Sequence, residues 1–427
     1  MALFSLRTAR IDSENAFKLG PHIAKVEAGG GRVIRCNLGE PDFLVPEHIR
    51  DEVKRQLDLG NTHYTDPQGI ASLRAAVAQQ MRAKGVPAEP ERVVVFPGAK
   101  PPIGFSQQIY LDPGDEVIYP SPGFPIYESF TGYVSAKPVP LLLDELRGFS
   151  FGAADLEALI TPRTKLVILN FPSNPTGGVA TAQELTQIAE MLNSRLPADA
   201  RVYSDEVYED ILFDGRTHTS IASLPGMAAR TIVVGGVSKS FAWTGGRIGW
   251  ALLPTVEEAQ VFKNLNINYF SCISGAMQEG ARVGLESPRT REAIARMGAS
   301  FQERRDLMVA GLNAIDGVRC QKPGGAFYVF PNIAGVLHAL GAIDAGTRLG
   351  VPPSKVFQMF LLYRHGLATM DRNSFGRLGV VDQHFLRFST ATALDDLREG
   401  LRRMATAACD KRGFEAFVRE SEGGRSW

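Results

Sequence analysis

Leu166-Val-Ile-Leu-Asn-Phe-Pro-Ser-Asn-Pro-Thr-Gly177 starts as an apolar run and ends in a loop that no regular strand or helix could continue. Residues Leu166–Asn170 predict a strand buried on both faces, the pattern of a parallel sheet. Two X-Pro steps and a glycine then fix a tight turn, a composition that a plain turn does not need. Thr181–Ser194 follows, with apolar residues at helical spacing. The alternation extends both ways: Val93–Phe96, Glu116–Tyr119, Val202–Ser204, Thr231–Gly235 and Ile248–Leu252 also read as strands. From Glu91 to about Leu252 this predicts an α/β fold with a largely parallel, doubly wound sheet covered on both faces. Ligands of such sheets bind beyond the carboxyl ends of the strands. There Asn170 runs into Pro172-Ser-Asn-Pro, Ser204 into Asp205, and Gly235 into Ser238-Lys239.

Beyond about Ser300 the texture changes. A charged helical stretch, Ala299–Ala314, leads into Gly324-Gly-Ala-Phe-Tyr-Val-Phe330, a strand candidate. A helix (Pro353–His365), a turn near Asn373-Ser-Phe-Gly376, a strand (Phe385–Ser389) and a helix (Leu394–Ala407) follow, as in a smaller α+β unit. Residues 408–427 are charged and aperiodic, and are expected to form a loosely held tail. The 427 residues are 44% hydrophobic, ample for a sizeable core. With 46 basic and 46 acidic side chains the chain has no global positive field to hold a nucleic acid. No apolar run nears a membrane span, and Met1–Arg10 lacks the apolar core of a signal peptide. The four scattered cysteines (Cys36, Cys272, Cys320, Cys409) form no CxxC pair and read as reduced, mostly buried thiols of a cytoplasmic protein.

Four stretches carry chemistry, and each alone has an ordinary explanation. In Gly235-Gly-Val-Ser-Lys-Ser-Phe-Ala-Trp-Thr-Gly-Gly-Arg-Ile-Gly-Trp250, Lys239 is either a surface lysine on a turn or an amine placed for Schiff-base chemistry. In Tyr203-Ser-Asp-Glu-Val-Tyr208, Asp205 is either a helix cap or a carboxylate that keeps a heteroaromatic nitrogen protonated. Asn174, held before Pro175, can donate to a ring oxygen. Val95-Phe-Pro-Gly-Ala-Lys100 opens a strand into small residues ahead of a helix, a weak but real signal for an anion site on backbone N–H groups.

Taken in this order and at these separations, the four stretches resemble the fold-type-I pyridoxal-phosphate (PLP) enzymes. They resemble above all the class I/II aminotransferases of the aspartate aminotransferase superfamily. Asn37-Leu-Gly-Glu-Pro-Asp-Phe43, Thr62-His-Tyr-Thr65 and Phe385-Leu-Arg-Phe-Ser389 extend the likeness over nearly the whole chain. The resemblance implies a PLP-dependent transferase fold of type I, with a mainly parallel seven-stranded sheet between helices. It implies a large cofactor-binding domain over 46–300, a small α+β domain from 1–45 and 301–407, and the tail 408–427. It implies that Lys239 joins pyridoxal 5'-phosphate as an aldimine and moves the substrate Cα proton. Asp205 then pairs with the pyridinium nitrogen, Asn174 and Tyr208 bond the phenolic oxygen, and Phe124 stacks on the ring. Ser238, Arg247 and the Gly98, Ala99 and Lys100 amides hold the phosphate. Arg387, with Asn174 and the Gly39 backbone, takes the substrate carboxylate, and Tyr64 reaches the phosphate of a neighbouring subunit, making a homodimer with shared sites. The implied reaction is ping-pong transfer of an amino group from an L-amino acid to a 2-oxo acid, with no metal, nucleic acid or membrane partner. A PLP lyase or synthase acting by elimination or replacement uses the same motifs, and reaction choice lies in side-chain contacts. A non-enzymatic regulator domain would need a fused DNA-binding module, for which the match begins too early.

The chain departs from the family pattern in places. Phe124 keeps stacking but lacks a polar handle, Trp243 stands where a smaller residue is usual, and Pro101-Pro102 follow the phosphate turn. Lys100 matches a lysine that meets a distal substrate carboxylate in one branch, and reads equally as a solvated charge. In the atypical Met370–Gly376 segment and just after it, Arg372 and Arg377 are similar candidates for such a carboxylate, and read more readily as solvated charges.

Overall fold

The computed structural model describes residues 3–12, 15–424 and 427. Seven strands form the main sheet: β1 (Val93–Phe96), β2 (Glu116–Ser121), β3 (Lys137–Leu142), β4 (Thr164–Asn170), β5 (Arg201–Asp205), β6 (Thr231–Gly236) and β7 (Gly249–Leu252). Their order is β1-β7-β6-β5-β4-β2-β3, and all run parallel except β7, which opposes both β1 and β6. Every residue of β1, β2 and β7 is buried, as in strands covered on both faces, and β1 and β7 are apolar throughout. The sequence locates six of the seven strands to within two residues at each end.

The strand missing from that reading is β3, Lys137-Pro-Val-Pro-Leu-Leu142. It lies at the sheet edge and pairs only with β2, setting Pro138 and Pro140 opposite Val117 and Tyr119. An edge strand leaves alternate N–H groups facing away from the sheet, so two prolines spaced by two cost no ladder bond there. Helices cover both faces. The one after β4, Ala182–Arg195, starts as its sequence predicts: Thr181 caps the Glu184 amide at 3.1 Å, and Glu184 bonds back to the Thr181 amide at 2.7 Å.

A second, three-stranded antiparallel sheet has Leu386–Ser389 at its centre, between Met370–Asp371 and Tyr328–Val329. Ile34–Arg35 pairs in parallel with Leu367–Ala368, and the Ser389 amide donates to the Cys36 carbonyl at 2.8 Å. The Asn37–Glu40 segment therefore runs beside Arg387. The helix expected from Ala299 begins at Pro288 and runs 26 residues, started by a Ser287 cap and a proline in its first turn.

Residues 411–422, expected to be an aperiodic tail, form a helix instead. Phe414, Phe417, Val418 and Ser421 recur at i, i+3, i+4 and i+7 and are all buried. The Phe414 and Phe417 rings meet Phe360 at 5.2 and 5.7 Å. Burying each of these rings contributes about 2–3 kcal/mol, enough to dock an otherwise charged segment. All four cysteines are free: Cys36 and Cys320 are buried, Cys272 is partly so and Cys409 is exposed. No helix among the described residues is long and apolar enough to cross a membrane.

Candidate active site

β4 and β5 end level with each other, Asn170 pairing with Asp205, and Asp205 pairs with Val234, two residues before the end of β6. The loops that leave them open on one cavity of about 550 Å³. Asn174, Asp205, Tyr208, Ser238, Lys239 and Arg247 line it, joined by Ala99, Lys100 and Phe124 from the neighbouring strand ends. Gly39 and Arg387 close it from the side of the smaller sheet. Residues nearly 350 positions apart in sequence thus share one space.

Two of the residues singled out in the sequence do not line the cavity. Gly98 lies behind it with φ +93°, and a Cβ there would stand 2.3 Å from Arg247 Nη2. A glycine at this point is what lets the arginine, bonded to the Thr244 carbonyl at 2.9 Å and the Pro97 carbonyl at 3.2 Å, reach the cavity. Tyr64 is 88% exposed and faces outward.

Asp205 is the electrostatic centre. Its side chain is buried, and burial pushes the carboxyl up to about 6, against a hydrogen bond that Tyr127 donates to Oδ2 at 2.6 Å. Among the described residues no cation forms an ion pair with it. A buried carboxylate in this state gains from any cationic ligand that enters. Lys239 Nζ donates to the Gly39 carbonyl at 2.5 Å and lies 5.9 Å from the centre of the Tyr208 ring and 5.8 Å from that of Phe327.

Arg387 is held from four sides. It donates to Asn174 Oδ1 at 2.9 Å and to the Asn37 carbonyl at 2.6 Å, and its guanidinium lies between the Tyr328 and Phe375 rings at 4.5 and 4.8 Å. A planar fork is fixed in orientation by such a sandwich. With its oxygen used by Arg387, Asn174 has its amide N–H groups to offer the cavity. The Tyr208 and Tyr328 hydroxyls bond each other at 2.7 Å.

Residues 32–404 match the family described as aminotransferase class I and II. The chain is a class I and II aminotransferase. It is 37% identical over 407 residues to an aspartate aminotransferase of Rhizobium meliloti, covering 95% of this chain and 96% of the relative. It is 34% identical over 384 residues to aromatic-amino-acid aminotransferase 2 of Thermococcus litoralis, covering 89% and 92%. The crystal structure of an aspartate aminotransferase from Rhizobium meliloti superposes with a TM-score of 0.86 at 34% identity, over 96% of this chain and 99% of that one.

Some residues of the aminotransferase cavity escaped the sequence reading. Asn170 is more than a strand end: its Oδ1 accepts from the Asn174 amide at 3.0 Å and its Nδ2 donates to the Asp205 carbonyl at 3.2 Å, tying two loops together. Tyr328 lay within the Gly324–Phe330 strand candidate, with nothing to mark its hydroxyl. Arg372, read as a solvated charge, is fully buried. It donates to Ser121 Oγ at 3.0 Å, to the Gly376 carbonyl at 2.9 Å and to Gln383 at 2.6 Å, pinning the loop that carries Ser374 and Phe375 against the turn before Phe124. Arg377 is exposed and pairs with Asp12, as a solvated charge should.

Proposed function

We propose that this aminotransferase works with pyridoxal 5'-phosphate, moving an amino group from an L-amino acid to 2-oxoglutarate or another 2-oxo acid in two half-reactions. The observation that carries the reading is Asp205: a buried carboxylate, in no ion pair with any of the described residues, in the wall of a cavity that also holds Lys239. A protonated pyridine nitrogen is a ligand group that this carboxylate fits. When bound, the cofactor supplies an electron-poor ring that accepts the electron pair of the broken Cα–H bond.

The chain's own residues do the rest. Lys239 is the amine that would carry the cofactor at rest and, once displaced by the substrate's amine, would take the proton from Cα and deliver it to the cofactor carbon. Asn174 and Tyr208 donate to the ring oxygen, and Phe124 covers one face of the ring. Ser238, Arg247 and the amides of Ala99 and Lys100 at the head of helix Pro101–Tyr110 hold the phosphate, while the Gly98 amide expected to join them donates instead to the Phe96 carbonyl at 2.7 Å. Pro101 and Pro102 suit that first turn, where their missing N–H groups have no helical partner anyway. Arg387 binds the substrate's α-carboxylate through the two-donor face of its guanidinium, beside Gly39. Fixing the carboxylate in this way sets the Cα–H bond across the ring plane, so that it breaks and the carboxylate stays. Lys100, whose ammonium lies 5.7 Å from the Phe124 ring centre at the cavity rim, is placed for a distal carboxylate.

The exposed Tyr64 serves the phosphate of a second subunit in a cytoplasmic homodimer. The cofactor lies between a large unit, 46–300, and a small one from 1–45 and 301–407.

A single-turnover experiment separates transamination from elimination. An L-amino-acid panel without acceptor is expected to release one equivalent of 2-oxo acid per site and no ammonia, with the amino group retained on the protein. Catalytic release of ammonia with pyruvate would instead make the protein a lyase. Arg387→Ala is expected to raise the KM for the amino donor about 100-fold, as a lost charge-assisted pair worth about 3 kcal/mol requires. An unchanged KM removes Arg387 as the carboxylate clamp.

A further inference from the structure

Tyr127 occupies the second position of helix Ile126–Tyr133, and no motif in the sequence points to it. Its side chain is fully buried, and its hydroxyl donates to Asp205 Oδ2 at 2.6 Å. The same ring meets Phe124 edge-on, at 5.8 Å and 76°. Behind it, the Tyr127 carbonyl accepts from the buried Thr131 hydroxyl at 2.7 Å and from Gln107 Nε2 at 3.5 Å, so the residue is anchored from both ends. One side chain therefore touches both of the groups that the proposed function sets against the cofactor ring.

We propose that Tyr127 is a positioning residue of this site: its phenol holds the Asp205 carboxylate in one orientation and in its ionised form, while its ring fixes the tilt of Phe124. The proposal rests on the reading of Asp205 as partner of the ring nitrogen. With Oδ2 engaged by the phenol, Oδ1 is the oxygen left for a cationic ligand, its one other contact being a 3.5 Å approach by the Val207 amide. Burial and Asp205 together keep the Tyr127 phenol far above its ordinary range, so it remains a donor at every working pH.

The other titratable groups facing Asp205 do not substitute for it. Glu206, next along β5, acts to raise the Asp205 carboxyl, while its own oxygens are taken by Ser204, Ser220 and His218. Tyr203 and Tyr208 are buried neutral phenols, and Lys239 acts from a distance. Among the described residues Tyr127 is the side chain that hydrogen-bonds the carboxylate.

Tyr127→Phe keeps the ring and removes the hydroxyl. The test is the dissociation constant of pyridoxal 5'-phosphate from the apoprotein, measured between pH 5 and 8.5 for the parent, Tyr127→Phe, Asp205→Ala and the double variant. Below the Asp205 midpoint of about 6, a cationic ring must displace a proton to bind, so affinity falls as the pH drops. Losing the phenol donor raises that midpoint. Tyr127→Phe is expected to weaken binding about tenfold near neutral pH and to move the acid-side fall up by about one pH unit. In the Asp205→Ala background the same substitution is expected to cost less than about twofold, because a residue acting through Asp205 has nothing left to act on.

Equal penalties in both backgrounds, or a loss without a change in the pH profile, would reduce Tyr127 to packing and overturn the proposal. An Asp205→Ala protein that binds the cofactor as tightly as the parent overturns instead the reading of Asp205 beneath it. If Asp205→Ala does not fold, the pH profile of Tyr127→Phe decides alone.

Discussion

Lys239→Ala is expected to lower turnover by roughly four orders of magnitude or more, since one substitution removes both the covalent anchor and the general base. The size of the loss follows from what else the cavity offers. Among the described residues two lysines line it, and the other, Lys100, stands at the rim with its ammonium over the outer ring of Phe124. Lys239 lies deeper, against Tyr208 and Phe327, in a four-residue helix that follows β6. Among the described residues no second amine is placed to take over the Cα proton. Circular dichroism of the variant checks that the fold survives the substitution. In the parent, borohydride should reduce the C=N bond to an amine, fixing the cofactor irreversibly to a peptide containing Lys239 and bleaching its yellow colour. In the variant no peptide should carry it. Turnover within tenfold of the parent would remove Lys239 from the mechanism.

The sequence revealed the strands better than the edges, and the site's chemistry better than its supports. Six strands of the main sheet announce themselves because burial on both faces leaves an apolar run bounded by loop residues. β3 does not, since an edge strand can carry Pro138 and Pro140, which signal a loop anywhere else. The 411–422 helix was legible in the spacing of Phe414, Phe417 and Val418, but its charged background hid the stripe. Lys239, Asp205, Asn174 and Arg387 stand out because glycines, prolines and strand ends frame them. Tyr127 and Arg372 have no such frame. Their importance comes from partners 78 and 251 residues away, Asp205 and Ser121, and only the fold brings those partners within reach. Asn170 belongs with them: its place in the motif was visible, but its bracing of the Asn174 and Asp205 backbones was not.

Asp205→Asn is expected to move activity and stability in opposite directions. The exchange keeps the shape of the side chain and an oxygen for the Tyr127 hydroxyl, so the cavity should persist. What disappears is the negative charge that holds a ring nitrogen protonated, a preorganised electrostatic contribution whose loss lowers kcat by about 10³-fold. Part of the cofactor affinity should survive through Ser238, Arg247 and the Ala99 and Lys100 amides. The apoprotein responds the other way. Its Asp205 titrates near 6 because burial disfavours the charge, whereas an unfolded aspartate titrates near 4. The native state therefore binds this proton more tightly than the unfolded one, and stability falls as the pH rises from about 4 through 6. Above that window the ionised carboxylate costs the empty fold about 3 kcal/mol. Asparagine carries no such cost, so the apo variant should melt higher than the apo parent at pH 8, with the difference closing as the pH falls to 4. Calorimetry of both apoproteins across that range reads this directly. A variant that is less stable than the parent at pH 8 would mean that the fold already compensates the carboxylate. The strain on Asp205 that makes a cationic cofactor welcome would then not exist.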